Sequence, residues 1–235
     1  MSDAWDDPRV VAGLSAQMAA RQEALDGPVS HLGWKVGFGA PASLELMQIA
    51  APLLGYLTDA TQLETGADVD AAGWERGIVE FETAVYIGSR LGPNSTNAEA
   101  RAAISAVGAA IELANIDGAI GPDSVTSIMA GNIFHRAVIL GRPDPRRAGL
   151  ETSGLTARIL VDGKLRDTTD DLEAITGPYP WIVSTVATTL AGTGESLEPG
   201  DVIITGSVIP PIPVTEGRTF SFELAPLDPI SVNIA

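Results

Sequence analysis

Val79-Glu80-Phe81-Glu82-Thr83-Ala84-Val85-Tyr86-Ile87 is the stretch from which this chain is best read. An extended strand alternates its faces, so Glu80 and Glu82 point the same way, about 7 Å apart, while Phe81 points oppositely. The apolar run Val85, Tyr86 and Ile87 argues against a fully solvated strand. Two carboxylates on one face repel each other unless water or a cation separates them. A second segment, Ala109-Ala110-Ile111-Glu112-Leu113-Ala114, sets Glu112 in a similarly apolar run. Three carboxylates in partly apolar surroundings suit a hard divalent cation such as Mg2+ or Mn2+. The plainer alternative is an edge strand with two solvated acids and Glu112 on an exposed helix face, since charged side chains usually face water.

Composition narrows the classes around that stretch. With 235 residues, 45% hydrophobic and 19% charged, the chain can bury a substantial core and reads as folded. A net charge of −16 argues against a nucleic-acid partner, because phosphate binding needs a basic surface. The absence of cysteine excludes disulfides, thiol catalysis and thiolate metal sites. Asp3, Asp6 and Asp7 open the chain without a basic stretch before an apolar one, so no signal peptide is expected. No run approaches the roughly 18 apolar residues of a membrane span. A soluble cytoplasmic protein without membrane partners is the expectation.

Patterning predicts an α+β fold. Helices are expected over 8–25, over 43–50 with Ser43 as N-cap and Pro52 as stop, over 97–107, and over 185–190 with Gly192 and Gly194 closing it. Strands are expected over 78–87, 111–116, 137–140, 155–161, 201–205 and 219–224. Asp162-Gly163 predicts a two-residue hairpin turn, and the acidic residues from 162 to 173 read as a solvated loop. Residues 1–60 form a small helical segment packed on a β-rich catalytic core at 61–235, or the two count as one domain. His31 and His135 read as structural or surface residues, and Trp181 as packing against a following helix. No G-x-S-x-G elbow, P-loop or EF-hand spacing is present.

Gly33-Trp34-Lys35-Val36-Gly37-Phe38, Gly55-Tyr56-Leu57, the E-x-E box, the lone Glu112 and Pro199-Gly200-Asp201-Val202-Ile203-Ile204-Thr205-Gly206-Ser207 follow one another in a telling order. Order and spacing resemble the 2-keto-4-pentenoate hydratase and 4-oxalocrotonate decarboxylase branch of the fumarylacetoacetate hydrolase superfamily, over about residues 8–224. The resemblance implies a mixed β-roll or barrel-like core with the active site in its mouth. It implies Mg2+ or Mn2+ held by Glu80, Glu82 and Glu112. Glutamate rather than aspartate at the third position points to the hydratase branch over C–C hydrolysis, as does the lack of a lid His-Glu pair. A homo-oligomer is implied, as is association with a related decarboxylase or hydratase.

That branch acts on small anionic 2-oxo or 2-hydroxy-dienoic acids, which offer a carboxylate oxygen and the C2 oxygen to a cation acting as a Lewis acid. Hydration through a chelated enolate is the expected reaction. The alternatives are oxalocrotonate-type decarboxylation, acylpyruvate hydrolysis, or a non-catalytic partner subunit that retains the fold. Three glutamates exceed one dication, so a cationic side chain is expected to hold the substrate. Lys35 is the candidate, binding the carboxylate or moving a proton. Thr205, Ser207 and Asn132 are candidate substrate-binding residues. Two features depart from the branch: Leu54 stands where relatives carry an acid before Gly55, and Ile133 and Phe134 replace the small residues and serine after Asn132.

Overall fold

The computed structural model describes residues 6–235; the signal-peptide expectation rests partly on residues 1–5, which lie outside that range. Five helices and thirteen strands follow one another among the described residues: α1 Pro8–Leu25, β1 His31–Gly37, α2 Pro41–Met47, β2 Leu53–Thr58, β3 Gln62–Leu63, β4 Ala67–Val69, β5 Gly77–Ile87, α3 Asn97–Ala103, β6 Ile104–Asn115, α4 Val125–Ala130, β7 His135–Leu140, β8 Thr156–Val161, β9 Lys164–Thr169, α5 Tyr179–Ala191, β10 Val202–Ser207, β11 Ile212–Pro213, β12 Thr219–Ala225 and β13 Ile230–Ile234. No described helix is long and apolar enough to cross a membrane.

The larger sheet runs β2-β1-β10-β5-β6-β7-β3, with β11 pairing the start of β5. The β1–β10 and β3–β7 pairs are parallel and the rest antiparallel, which makes the sheet mixed. The smaller sheet, β4-β13-β12-β8-β9, packs outside β6 and β7. Phe222 there meets Phe81 edge-on at 5.6 Å between ring centres. Residues 31–37 and 53–58 of the amino-terminal segment supply β1 and β2 to the larger sheet, beside the helices α1 and α2.

The larger sheet is rolled. Three strand spacings separate β1 from β6, roughly 14 Å in a flat sheet. Yet the Lys35 ammonium on β1 hydrogen-bonds the Glu112 carboxylate on β6, which only a curled sheet allows. The two ends of the roll meet at Asn132, just before β7. Its side-chain amide accepts from the Tyr56 N–H at 2.9 Å and donates to the Tyr56 carbonyl at 3.0 Å. It thereby replaces the strand that edge strand β2 lacks. Asn132, Ile133 and Phe134 all take left-handed backbone angles, φ 52–61°. Such angles strain a β-branched residue by on the order of 1–3 kcal/mol, and the Lys35 ammonium donates to the Ile133 carbonyl at 3.2 Å to hold the turn.

Both faces of the roll are buried, so its strands read as near-continuous apolar runs. Leu57, Ala84, Ala110, Val138, Val202 and Ile204 fill the narrow interior. Ala106, on the same strand face as Ala110, bears on an expectation that failed. Helix was expected to 107, but α3 ends at Ala103 and Ile104 turns extended. Alanine favours helix in isolation; here the alanines suit a strand facing a space too narrow for larger side chains.

Other boundaries shift for local reasons. α2 starts at Pro41 with Ala40 at its N-cap, not Ser43, because proline fits the first turn. α5 likewise begins at Tyr179 with Pro180 in its first turn, so Trp181 lies inside the helix. The 162–173 stretch is not a loop throughout: Lys164–Thr169 pairs as the outer strand β9. Asp162 and Gly163 have φ of 49° and 74°, the primed turn expected there. The plainer reading of β5 as an edge strand fails, since β10 and β6 flank it.

Candidate metal and acid site

Register brings the three glutamates together. Glu80 and Glu112 are direct partners across β5 and β6, and Glu82 lies two residues along on the same face. One carboxylate oxygen from each lies within 4.8 Å of the others. They stand on the interior face of the roll, beyond the apolar plug formed by Ala84 and Ala110, at its mouth.

Each carboxylate meets a different neighbourhood. Glu112 is fully buried, and its Oε1 accepts from Lys35 and from His135 Nδ1, the latter at 2.7 Å. Burial alone would raise its pKa, but the Lys35 charge and the His135 hydrogen bond outweigh burial and hold it low. Glu82 Oε2 accepts from the Gly206 N–H at 2.5 Å. Burial first, then the charges of Glu112 and Glu80, push its pKa well above the ordinary value. Glu80 is partly open to the cavity, and its pKa is pushed up to about 7 by burial and by the Glu112 charge. Glu82 Oε1 and Glu112 Oε2 are buried without a hydrogen-bond partner. Unpaired buried carboxylate oxygens are costly, and hard oxygen donors so gathered fit a Mg2+- or Mn2+-sized cation.

The other expected residues fall into two groups. Lys35 is buried within the cluster; it donates to Glu112 and Ile133, which leaves one of its three N–H groups for the cavity it lines. Gly55, opposite it on β2, must lack a side chain because a Cβ would stand 2.7 Å from Lys35 Cγ. Thr205 and Ser207 line the cavity, but their hydroxyls already have backbone partners on β5. Thr205 donates to the Thr83 carbonyl at 3.0 Å, and Ser207 accepts from the Phe81 N–H at 3.1 Å. Together they fix the irregular end of β10, where Gly206 at φ 90° aims its N–H at Glu82. The Asn132 amide is occupied by Tyr56.

Two contributors were not singled out from sequence. His135 is buried, with Nδ1 on Glu112 and Nε2 at 3.0 Å from the Thr61 hydroxyl. Its structural role is as expected, but the group it supports is a site carboxylate. Thr176 is buried in the cavity wall, and its hydroxyl has no partner. No local motif marks either residue.

Residues 36–234 match the Fumarylacetoacetate (FAA) hydrolase C-terminal family. The chain belongs to that family. Within the fumarylacetoacetate hydrolase family, it is 26% identical over 201 residues to a 4-oxalocrotonate decarboxylase from Pseudomonas sp, covering 86% of this chain and 77% of that one. It is 25% identical over 224 residues to a 2-hydroxyhexa-2,4-dienoate hydratase from Comamonas testosteroni, covering 93% and 83%. The fold is shared with 4-oxalocrotonate decarboxylase from Pseudomonas putida G7, solved with magnesium and adipate: TM-score 0.84, 21% identity, 96% of this chain and 86% of that one.

Proposed function

We propose that this protein is a divalent-metal-dependent lyase that hydrates a small 2-oxo or 2-hydroxy-dienoic acid. The reading rests above all on three convergent carboxylates with two orphaned oxygens beside one buried lysine. Glu80, Glu82 and Glu112 would hold Mg2+ or Mn2+. When bound, such a cation polarises the C2 oxygen of a 2-oxo acid and stabilises the negative charge that collects there.

The chain's own residues supply the rest. Lys35, fixed by Glu112 and Ile133, offers its remaining N–H to the substrate carboxylate or to a proton in transit. His135 and the Gly206 N–H hold Glu112 and Glu82 in place. Thr205, Ser207 and Asn132 act chiefly by shaping the β10 end and closing the roll, because their polar atoms already have backbone partners. Thr176 presents the wall hydroxyl free to bond substrate. The apolar surroundings of Glu80 and Lys35 limit water around them.

Decarboxylation is the second reading, favoured by the similarity to a 4-oxalocrotonate decarboxylase. The deciding assay follows 2-hydroxydienoate loss and, with 4-oxalocrotonate, carbon dioxide release in parallel, with Mg2+ or Mn2+ and with chelator. Metal-dependent dienoate loss without carbon dioxide, abolished in Glu112→Gln, is the expected result. Metal-dependent carbon dioxide release would replace hydration by decarboxylation, and activity indifferent to chelator would remove the metal from the account.

A further inference from the structure

We infer that the substrate carries a single carboxylate and ends in an uncharged, apolar tail; this rests on the function proposed above and specifies its substrate class. Two adjoining hollows of about 270 and 220 Å3 share Gly37, Phe38, Ser43, Glu80 and Pro211 in their walls. Each is smaller than the roughly 300–1,000 Å3 typical of sites for drug-sized ligands, and either has room for a short acid. Beyond the glutamates, the first hollow is closed by Ile175, Ile182 and Ile209, and the second by Ile116, Ile120 and Phe134.

Charge decides the tail. Among the described residues, Lys35 is the one cation lining either hollow, and Glu112 already pairs with it. The other titratable wall residue is Glu80, which offers no positive charge. A first carboxylate can be met by Lys35 and a bound cation. A second, at the far end of the substrate, would lie among isoleucines and prolines with no cation to pair it. The hydroxyls of Ser43 and Thr176 do not neutralise a charge. Arg166 stands across Pro210 and Pro211 in a separate hollow, about half exposed and paired with Glu216 at 3.4 Å. The net charge of −16 further disfavours a dianion.

A matched pair of acids tests this: 2-hydroxyhexa-2,4-dienoate and 2-hydroxyhexa-2,4-dienedioate (the enol tautomer of 4-oxalocrotonate) share a six-carbon skeleton and differ in a terminal methyl or carboxylate. Mn2+ binding to the metal-stripped protein is titrated with each acid and with oxalate, and kcat/KM is measured for each acid. The monocarboxylate should be preferred by on the order of 100-fold or more, as an unpaired buried charge demands, in both binding and kcat/KM. Arg166→Ala should leave both acids unchanged. Oxalate-enhanced Mn2+ binding together with equal or better use of the dicarboxylate would overturn the inference and leave the metal site standing. A selective loss of the dicarboxylate in Arg166→Ala would also overturn it, by showing that the rim arginine reads a second carboxylate. No effect of oxalate or of either acid on Mn2+ would remove the proposed function itself.

Discussion

The two faces of β1 carry two buried charged clusters of opposite character. Outward, Trp34 donates to Asp201 at 3.1 Å, His31 approaches the same carboxylate at 3.4 Å, and the Glu198 N–H completes it. Arg21 lies over the Trp34 ring, 4.7 Å from its centre, and pairs with Glu195. Every Asp201 oxygen has a partner, and these hydrogen bonds hold its pKa low despite the opposing effect of burial. Inward, Lys35 faces three carboxylates, two of whose oxygens have no partner, and two of whose pKa values are pushed up. The outward cluster leaves no carboxylate oxygen of Asp201 without a partner, only the nitrogens Arg21 Nε and His31 Nδ1, and it ties α1 to the sheet. The inward one leaves carboxylate oxygens without partners, the positions a cation would fill.

Substitutions separate the two clusters. The largest contrast sets Glu82→Gln against Asp201→Asn. The first should weaken Mn2+ binding by more than the roughly 10–100-fold that loss of an outer partner costs, while not lowering the melting temperature of the metal-free protein at pH 8, because a buried carboxyl that is costly to ionise gives way to a neutral amide. The second should lower the melting temperature and leave Mn2+ affinity unchanged, both read by calorimetry. Matching losses of metal affinity would erase the distinction.

His135→Ala tests the support beneath Glu112 and should reduce Mn2+ affinity by about 10–100-fold. Lys35→Ala should instead spare Mn2+ binding and abolish its enhancement by oxalate. Equal loss of both would make Lys35 structural.

The pH dependence sharpens the comparison further. Glu80 and Glu82 keep protons in the metal-free fold at pH values where unfolded glutamates have lost them. Their contribution to stability is therefore full below pH about 4.5 and is lost as pH rises through their raised values, about 7 for Glu80. Glu112, held low, opposes this in part. Melting of the metal-free protein should thus drop between pH 5 and 8, with Mn2+ restoring it most at the upper end, and Mn2+ affinity should decline below pH 7 as protons compete. An unchanged melting curve in the presence of Mn2+ would contradict this. The smallest effect is expected from Thr176→Val, a rise of roughly 2–10-fold in KM with kcat little altered, the loss of one neutral hydrogen bond.

What was legible in the chain was what strand alternation fixes locally. Glu80 and Glu82 on one face, Glu112 in a second buried strand and a barrel-like α+β core all follow from short runs of residues and the order of motifs. What escaped depends on long-range closure. The pairing of Lys35 with Glu112 needs the sheet to curl, and Asn132 acts on Tyr56 because the ends of the roll meet. His135 reaches Glu112 through a shift in the β6–β7 register that no local pattern announces. The helix expected over 97–107 ran past Ala103 because alanine favours helix locally, whereas Ile104–Val107 belongs to β6.

Mn2+ titration of the metal-stripped protein, with and without oxalate, tests the central claim most directly. One Mn2+ bound per chain, tightened by oxalate and lost in Glu82→Gln, is the predicted result. No binding at pH 8, or binding that Glu82→Gln leaves intact, would mean that no cation belongs among the inward carboxylates.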